Sequence, residues 1–143
     1  MLWVHPAIQL LATILAMYVL RLGWKRFCSA HLGIKCLFRW KDHVQWGQFT
    51  LGLWAGGLLL GLWAAHWEWS VYGLTGTHFW VGLAMGAVIP VSFLTGLRMD
   101  SIKKRRTIMP LVHAGAGFLL MALAAVELIT GLVILSRFVA FSA

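Results

Sequence analysis

The sequence predicts an all-α integral membrane protein, an up-down-up-down four-helix bundle, and three observations predict it. Hydrophobic residues make up 61% of the 143 positions, and mean hydropathy is +0.83, outside the range of ordinary soluble domains. Four apolar stretches are each long enough to cross a hydrocarbon core of about 30 Å. The basic residues, 12 Lys or Arg against 4 Asp or Glu, crowd into alternate connections. Four such spans fill the chain, so residues 1–143 are expected to form a single domain.

The first span is predicted over about 2–24. It begins without a basic leader or a small-residue cleavage site, so it is expected to be retained. Residues 25–42 mix Phe27, Ile34, Leu37, Phe38 and Trp40 with basic groups, as a helix lying along lipid headgroups would. Within them Cys28 and Cys36 frame His31 in CSAHLGIKC. Three candidate ligands without a fourth are a weak metal signal, and free thiols are the simpler expectation. No CxxCH occurs, which excludes covalently attached c-type haem. The second span is predicted over 44–67, closing in the aromatic AAHWEW that holds His66, the third over 75–97 and the fourth over 109–136.

Charge orients the spans. Arg21, Lys25, Arg26, Lys35, Arg39 and Lys41 lie between spans one and two, and Arg98, Lys103, Lys104, Arg105 and Arg106 between three and four. The connection from 66 to 77 has no Lys or Arg. The positive-inside rule then predicts both termini on the non-cytoplasmic side of a bacterial inner membrane. The net charge of +8 is confined to these loops, and membrane lipid rather than nucleic acid is the expected partner.

His5, His43, His78 and His113 each open an apolar run, and each is followed eighteen residues later by a glycine: Gly23, Gly61, Gly96 and Gly131. Eighteen residues are five helical turns, about 27 Å of rise, so each glycine returns to the face of its histidine. Antiparallel spans sort the histidines by depth, with His5 and His78 near the outer surface and His43 and His113 near the cytoplasmic one. In a bundle with short connections, helices one and three are diagonal, as are two and four. Two imidazoles approaching from opposite sides are the axial ligands of a six-coordinate b-type haem, which predicts one haem between His5 and His78 and another between His43 and His113. His43, His78 and His113 also share a glycine one turn on, at Gly47, Gly82 and Gly117, expected to clear space for a porphyrin edge. His5 has Gln9 there. His31 and His66 lack the eighteen-residue glycine; His66 is the substitute should His5 not ligate.

Four core helices with one histidine each, and haem between helices one and three and between two and four, resemble the cytochrome b561 family, and in particular a compact four-helix prokaryotic relative. The resemblance runs from His5 to Gly131. It implies transmembrane electron transfer with His5, His78, His43 and His113 as iron ligands. Eukaryotic members usually carry two further helices that this chain lacks, and no ascorbate-binding stretch is recognisable, so the donor stays open.

Other residues carry secondary expectations. Glu127 falls inside the fourth span, where an ionisable group is costly and usually functional; it is a candidate proton relay, or a hydrogen-bond partner of Thr130 or a ligand histidine. Arg21 and Arg98 at the inner haem, and Arg137 at the outer one, are candidate partners for haem propionates, with snorkelling to lipid phosphate as the alternative. Eight of the nine tryptophans read as interfacial belts, Trp3, Trp63, Trp67, Trp69 and Trp80 at the outer surface and Trp24, Trp40 and Trp46 at the inner one.

The function expected is electron relay through two b-type haems, between a quinol or other donor and a redox protein partner, with no independent catalytic site evident. Two rivals remain: a quinone-interacting anchor subunit of a larger oxidoreductase, and a haem-free structural or assembly subunit whose histidines bond across helices.

Overall fold

The computed structural model describes residues 3–104 and 106–139; Met1, Leu2 at the start of the first predicted span, Arg105 and residues 140–143 lie outside the described residues. Four α-helices follow in order: α1 Val4–His31, α2 Trp40–Trp69, α3 Thr77–Ser101 and α4 Ile108–Ile134. A π-helical turn, Leu135–Val139, continues α4. All four helices are long and apolar enough to cross a membrane. At about 1.5 Å per residue even the shortest exceeds the roughly 30 Å of hydrocarbon. The chain is an all-helical, multi-pass membrane protein.

One expectation changes. Residues 25–31 are not part of a separate interfacial helix; they prolong α1 by about two turns, and residues 32–39 are non-helical. No helix breaker stands between Gly23 and His31, and the first residue to demand a different backbone is Gly33, at φ +66°. At the other end of the bundle, α2 stops at Ser70 in the left-handed region, whose N–H donates to the His66 carbonyl at 2.8 Å. Gly76, at φ +56°, then starts α3.

α1 packs most extensively on α2, and α3 on α4; the contacts of α2 with α3 and of α1 with α4 are sparser. The molecule is therefore two tight helical hairpins set side by side, with α1 diagonal to α3 and α2 to α4. The buried middle layer takes Ala12 and Ala16 from α1, Trp54 from α2, Met85 and Ile89 from α3, and Leu120 and Ala124 from α4. The Trp54 indole packs in this layer with the small Ala12 and Ala16 of α1, and its N–H reaches the Thr13 hydroxyl of the same helix at 3.5 Å. Leu120, 1% exposed, closes the layer. Outward-facing residues such as Leu10, Ile14, Leu94, Ile129 and Leu132 are exposed and form an apolar surface suited to lipid, since the helices satisfy their own backbone groups. The middle layer leaves the two ends of the bundle axis free for polar side chains.

Candidate functional site

At one end of the bundle His5 of α1 meets His78 of α3, with ring centres 6.1 Å apart and planes at 84°. At the other, His43 of α2 meets His113 of α4, also at 6.1 Å, with planes at 77°. Both pairs bridge diagonal helices, and each takes one histidine from each hairpin. The buried middle layer separates them.

Every one of these rings is held through Nδ1 by its hairpin partner. His5 Nδ1 lies 2.7 Å from the Gly57 carbonyl, His43 Nδ1 3.2 Å from the Val19 carbonyl, and His113 Nδ1 3.0 Å from the Ser92 carbonyl. A carbonyl only accepts, so in all three Nδ1 carries the proton and Nε2 keeps its lone pair. His78 Nδ1 instead faces a carboxylate, Glu127 Oε2, at 2.9 Å. Two hydroxyls complete the set. Thr95 Oγ1, which donates to the Val91 carbonyl, is 3.1 Å from His113 Nδ1, and Thr130 Oγ1, which donates to the Val126 carbonyl, is 3.1 Å from His78 Nδ1. Metal-bound histidines are characteristically oriented in this way, by a carbonyl or carboxylate on the ring nitrogen that does not bind the metal.

The glycines make these hydrogen bonds reachable. A Cβ on Gly61 would lie 2.7 Å from His5 Cε1, one on Gly23 3.1 Å from His43 Cε1, one on Gly96 3.1 Å from His113 Cε1, and one on Gly131 3.3 Å from His78 Cε1. Each imidazole thus lies edge-on against a bare stretch of the neighbouring helix, and its Nδ1 acceptor belongs to the residue four positions before that glycine. What these four glycines receive directly is the histidine of the hairpin partner. The eighteen-residue interval is the axial separation of the two sites, read along any one helix. Gly47 and Gly117 line the cavity beside His43 and His113, whereas a Cβ on Gly82 would approach Leu58 and, at 3.8 Å, Glu127.

A linear bridge through one metal, with bonds of about 2 Å and a nitrogen about 1 Å from its ring centre, places two imidazole centres about 6 Å apart, which both pairs match. Among the described residues no group of three or more His, Cys, Asp or Glu stands ready to hold a metal ion. Each pair supplies two imidazoles, so a metal held there would need its remaining ligands from a group other than these side chains. Around His43 and His113 there is room for such a group: a cavity of about 1210 Å³. Its buried lining is mostly apolar, with Ala16, Leu51, Trp54 and Leu120 beside the small polar Thr50 and Ser92, and its more exposed lining is mostly basic, with Arg26, Lys103, Lys104 and Arg106 beside Asp100.

The remaining candidates scatter. Arg21, Arg98 and Arg137 are exposed, and neither Arg21 nor Arg98 lines the cavity. His66 stacks on Tyr72 at 4.9 Å, and His31 leans on Phe27 at 4.8 Å. Cys28 and Cys36 are free thiols. Sequence reasoning missed Gly57, Val19 and Ser92, whose contribution is a backbone carbonyl that no side-chain type announces. It also passed over Arg106, one basic residue in a basic loop. Comparison with protein-family models, with curated proteins and with solved structures finds no match to this chain.

Proposed function

We propose that the chain is a membrane electron carrier holding two b-type haems, one between His5 and His78 and one between His43 and His113. The observation that carries this reading is that both diagonal pairs share a 6.1 Å ring separation while all four rings are tied at Nδ1. That leaves Nε2 of each as the nitrogen turned to ligation. Haem iron with both axial positions filled shuttles one electron and offers no open position to a substrate. The chain's own residues fix the tautomer of each imidazole, hold its plane against a neighbouring helix and surround the sites with apolar side chains that exclude water. The same features support the likeness to cytochrome b561 proteins. A haem-free structural subunit has less support, because simple interhelical hydrogen bonds do not require two ring pairs at ligation distance.

The two sites sit at opposite ends of helices long enough to cross a bilayer, so the reading is electron transfer between the two faces. The basic connections at 32–39 and 102–107 support placing the His43–His113 end at the cytoplasmic face of a bacterial inner membrane, with both termini opposite. Glu127 favours a quinol as donor, the situation of a quinone-linked anchor subunit. Its Oε1 is buried with no hydrogen-bond partner among the described residues beside the His5–His78 site, where a carboxylate can receive a proton released on quinol oxidation.

Pyridine haemochrome quantitation on the purified chain tests the proposal. Two haems b per polypeptide are expected, falling to one in H43A or H113A and to one in H5A or H78A. A reduced-minus-oxidised spectrum with no b-type band removes the cytochrome reading altogether.

A further inference from the structure

Two residues that line the cavity at the His43–His113 end carry a buried polar atom with no hydrogen-bond partner among the described residues, the Thr50 hydroxyl and the Arg106 guanidinium, and only the second is charged. Arg106 lines this cavity, and its Nη2 is buried with no hydrogen-bond partner among the described residues. A buried charged donor left unpaired is costly, and native structures seldom keep one unless something else satisfies it. Among the described residues, the other cations at this end are engaged or exposed, apart from Lys25, which is half-buried and does not line the cavity. Lys103 Nζ is bonded to Asp100 at 2.8 Å and lies 3.8 Å over the Trp40 ring; Arg39 pairs with Asp42; Arg21, Arg26, Lys41, Arg98 and Lys104 are exposed. Asp100 also lines the cavity, but the Oδ1 it offers is held by Lys103.

We propose, resting on the haem reading above, that Arg106 is the anion-binding residue of this cavity and pairs with a propionate carboxylate of the haem held by His43 and His113. A mostly apolar buried lining with a cation in the more exposed lining matches a flat macrocycle that is apolar at one edge and anionic at the other. A guanidinium presents a planar fork that fits a carboxylate bidentately, which a lysine ammonium cannot reproduce. A lipid phosphate offers the same oxyanion chemistry, and the test separates the two sources. Arg21 and Arg98 are exposed and do not line this cavity, whereas Arg106 does and stands seven residues ahead of His113 in the chain.

The test compares wild type, R106Q, R106K and the off-cavity control R98Q, measuring haem content and the rate of haem transfer to excess apomyoglobin. For R106Q, one of the two haems is expected to leave about tenfold faster, the loss of one charge-assisted pair. R106K falls between it and wild type, and R98Q matches wild type. Reconstitution with haem dimethyl ester, whose propionates carry no charge, removes the difference between wild type and R106Q. If R106Q fails to fold, R106K with the two haem forms makes the same comparison. A difference that persists with the ester overturns the propionate assignment and points to lipid phosphate. Wild-type release rates in R106Q, with two haems bound, overturn the role of Arg106 alone. A wild-type chain that takes up no haem overturns the haem reading together with it.

Discussion

The two ends of the bundle repeat one geometry and differ in their electrostatics. At both, a histidine from each hairpin lies on a glycine of its partner helix and the ring centres stand 6.1 Å apart. At the His43–His113 end both Nδ1 atoms face backbone carbonyls, Val19 and Ser92, and the more exposed lining of the cavity is mostly basic. At the His5–His78 end one Nδ1 faces the Glu127 carboxylate. Ser92 and Glu127 occupy equivalent places, each four residues before the glycine that receives a histidine and three before a threonine that touches it. Ligand spacing is thus set by helix packing and duplicated, while the electronic environment is set by single side chains and free to diverge. If both pairs hold the proposed haems, the two are expected to have different potentials.

The strongest way to break the equivalence is steric. Gly61→Ala puts a Cβ 2.7 Å from His5 Cε1 and 2.8 Å from Nδ1, so the ring must leave the Gly57 carbonyl. Overpacking of this kind costs about 1–3 kcal/mol. The His5–His78 haem is expected to be lost while the other stays, halving haem per chain. Gly131→Ala, with 3.3 Å of clearance, should weaken the same site without emptying it. Gly56, with open space around it, serves as the neutral control. Equal haem content in all three variants would break the cradle account.

The next test is electrostatic. A carboxylate on Nδ1 makes His78 a stronger donor and favours the oxidised state of whatever it ligates. Glu127→Gln keeps a hydrogen-bond acceptor and removes the charge, so potentiometric titration should show one haem rising by about 60 mV, a tenfold change in a one-electron equilibrium. The other haem should stay near its wild-type value; a common shift in both would mean that Glu127 does not set the difference.

The smallest effect belongs to the hydroxyls. Thr95→Val leaves His113 its Ser92 carbonyl and removes one of two acceptors, for about 1 kcal/mol or less of stability. Thermal unfolding followed by haem absorbance should detect a slight loss with two haems retained. A loss as large as that of Gly61→Ala would show that the hydroxyl, not the carbonyl, holds the ring.

Much of this was legible in the sequence because hydropathy and helical period report directly on packing in a membrane. The four helices follow from span length alone, and the four histidines stand out by their regular distance from glycine. The extension of α1 to His31 was not legible, since the aromatic and basic residues that suit an interfacial helix equally suit a spanning helix that continues into the headgroups. The meaning of the glycines was hidden for another reason. Period and spacing place Gly23 on the face of His5, but only knowing which helices form hairpins shows that it receives His43. Glu127 was visible as an anomaly in an apolar run, whereas its bond to His78 depends on the register of α3 against α4. Arg106 could not be told from its neighbours, because the conformation of a short loop decides which cation turns inward.

The hairpin arrangement bears on how the protein is assembled. Each hairpin supplies the Nδ1 partners of its own two histidines, and neither hairpin alone owns both members of a facing histidine pair. The contacts between hairpins are sparser than those within them and include the buried middle layer, so ligation by the proposed cofactors would add a clasp at each end of that layer and couple cofactor supply to closure of the bundle. Two separately expressed halves, residues 1–72 and 73–143, would then remain apart until haem is added and afterwards copurify, a split cytochrome stitched together by its own prosthetic groups.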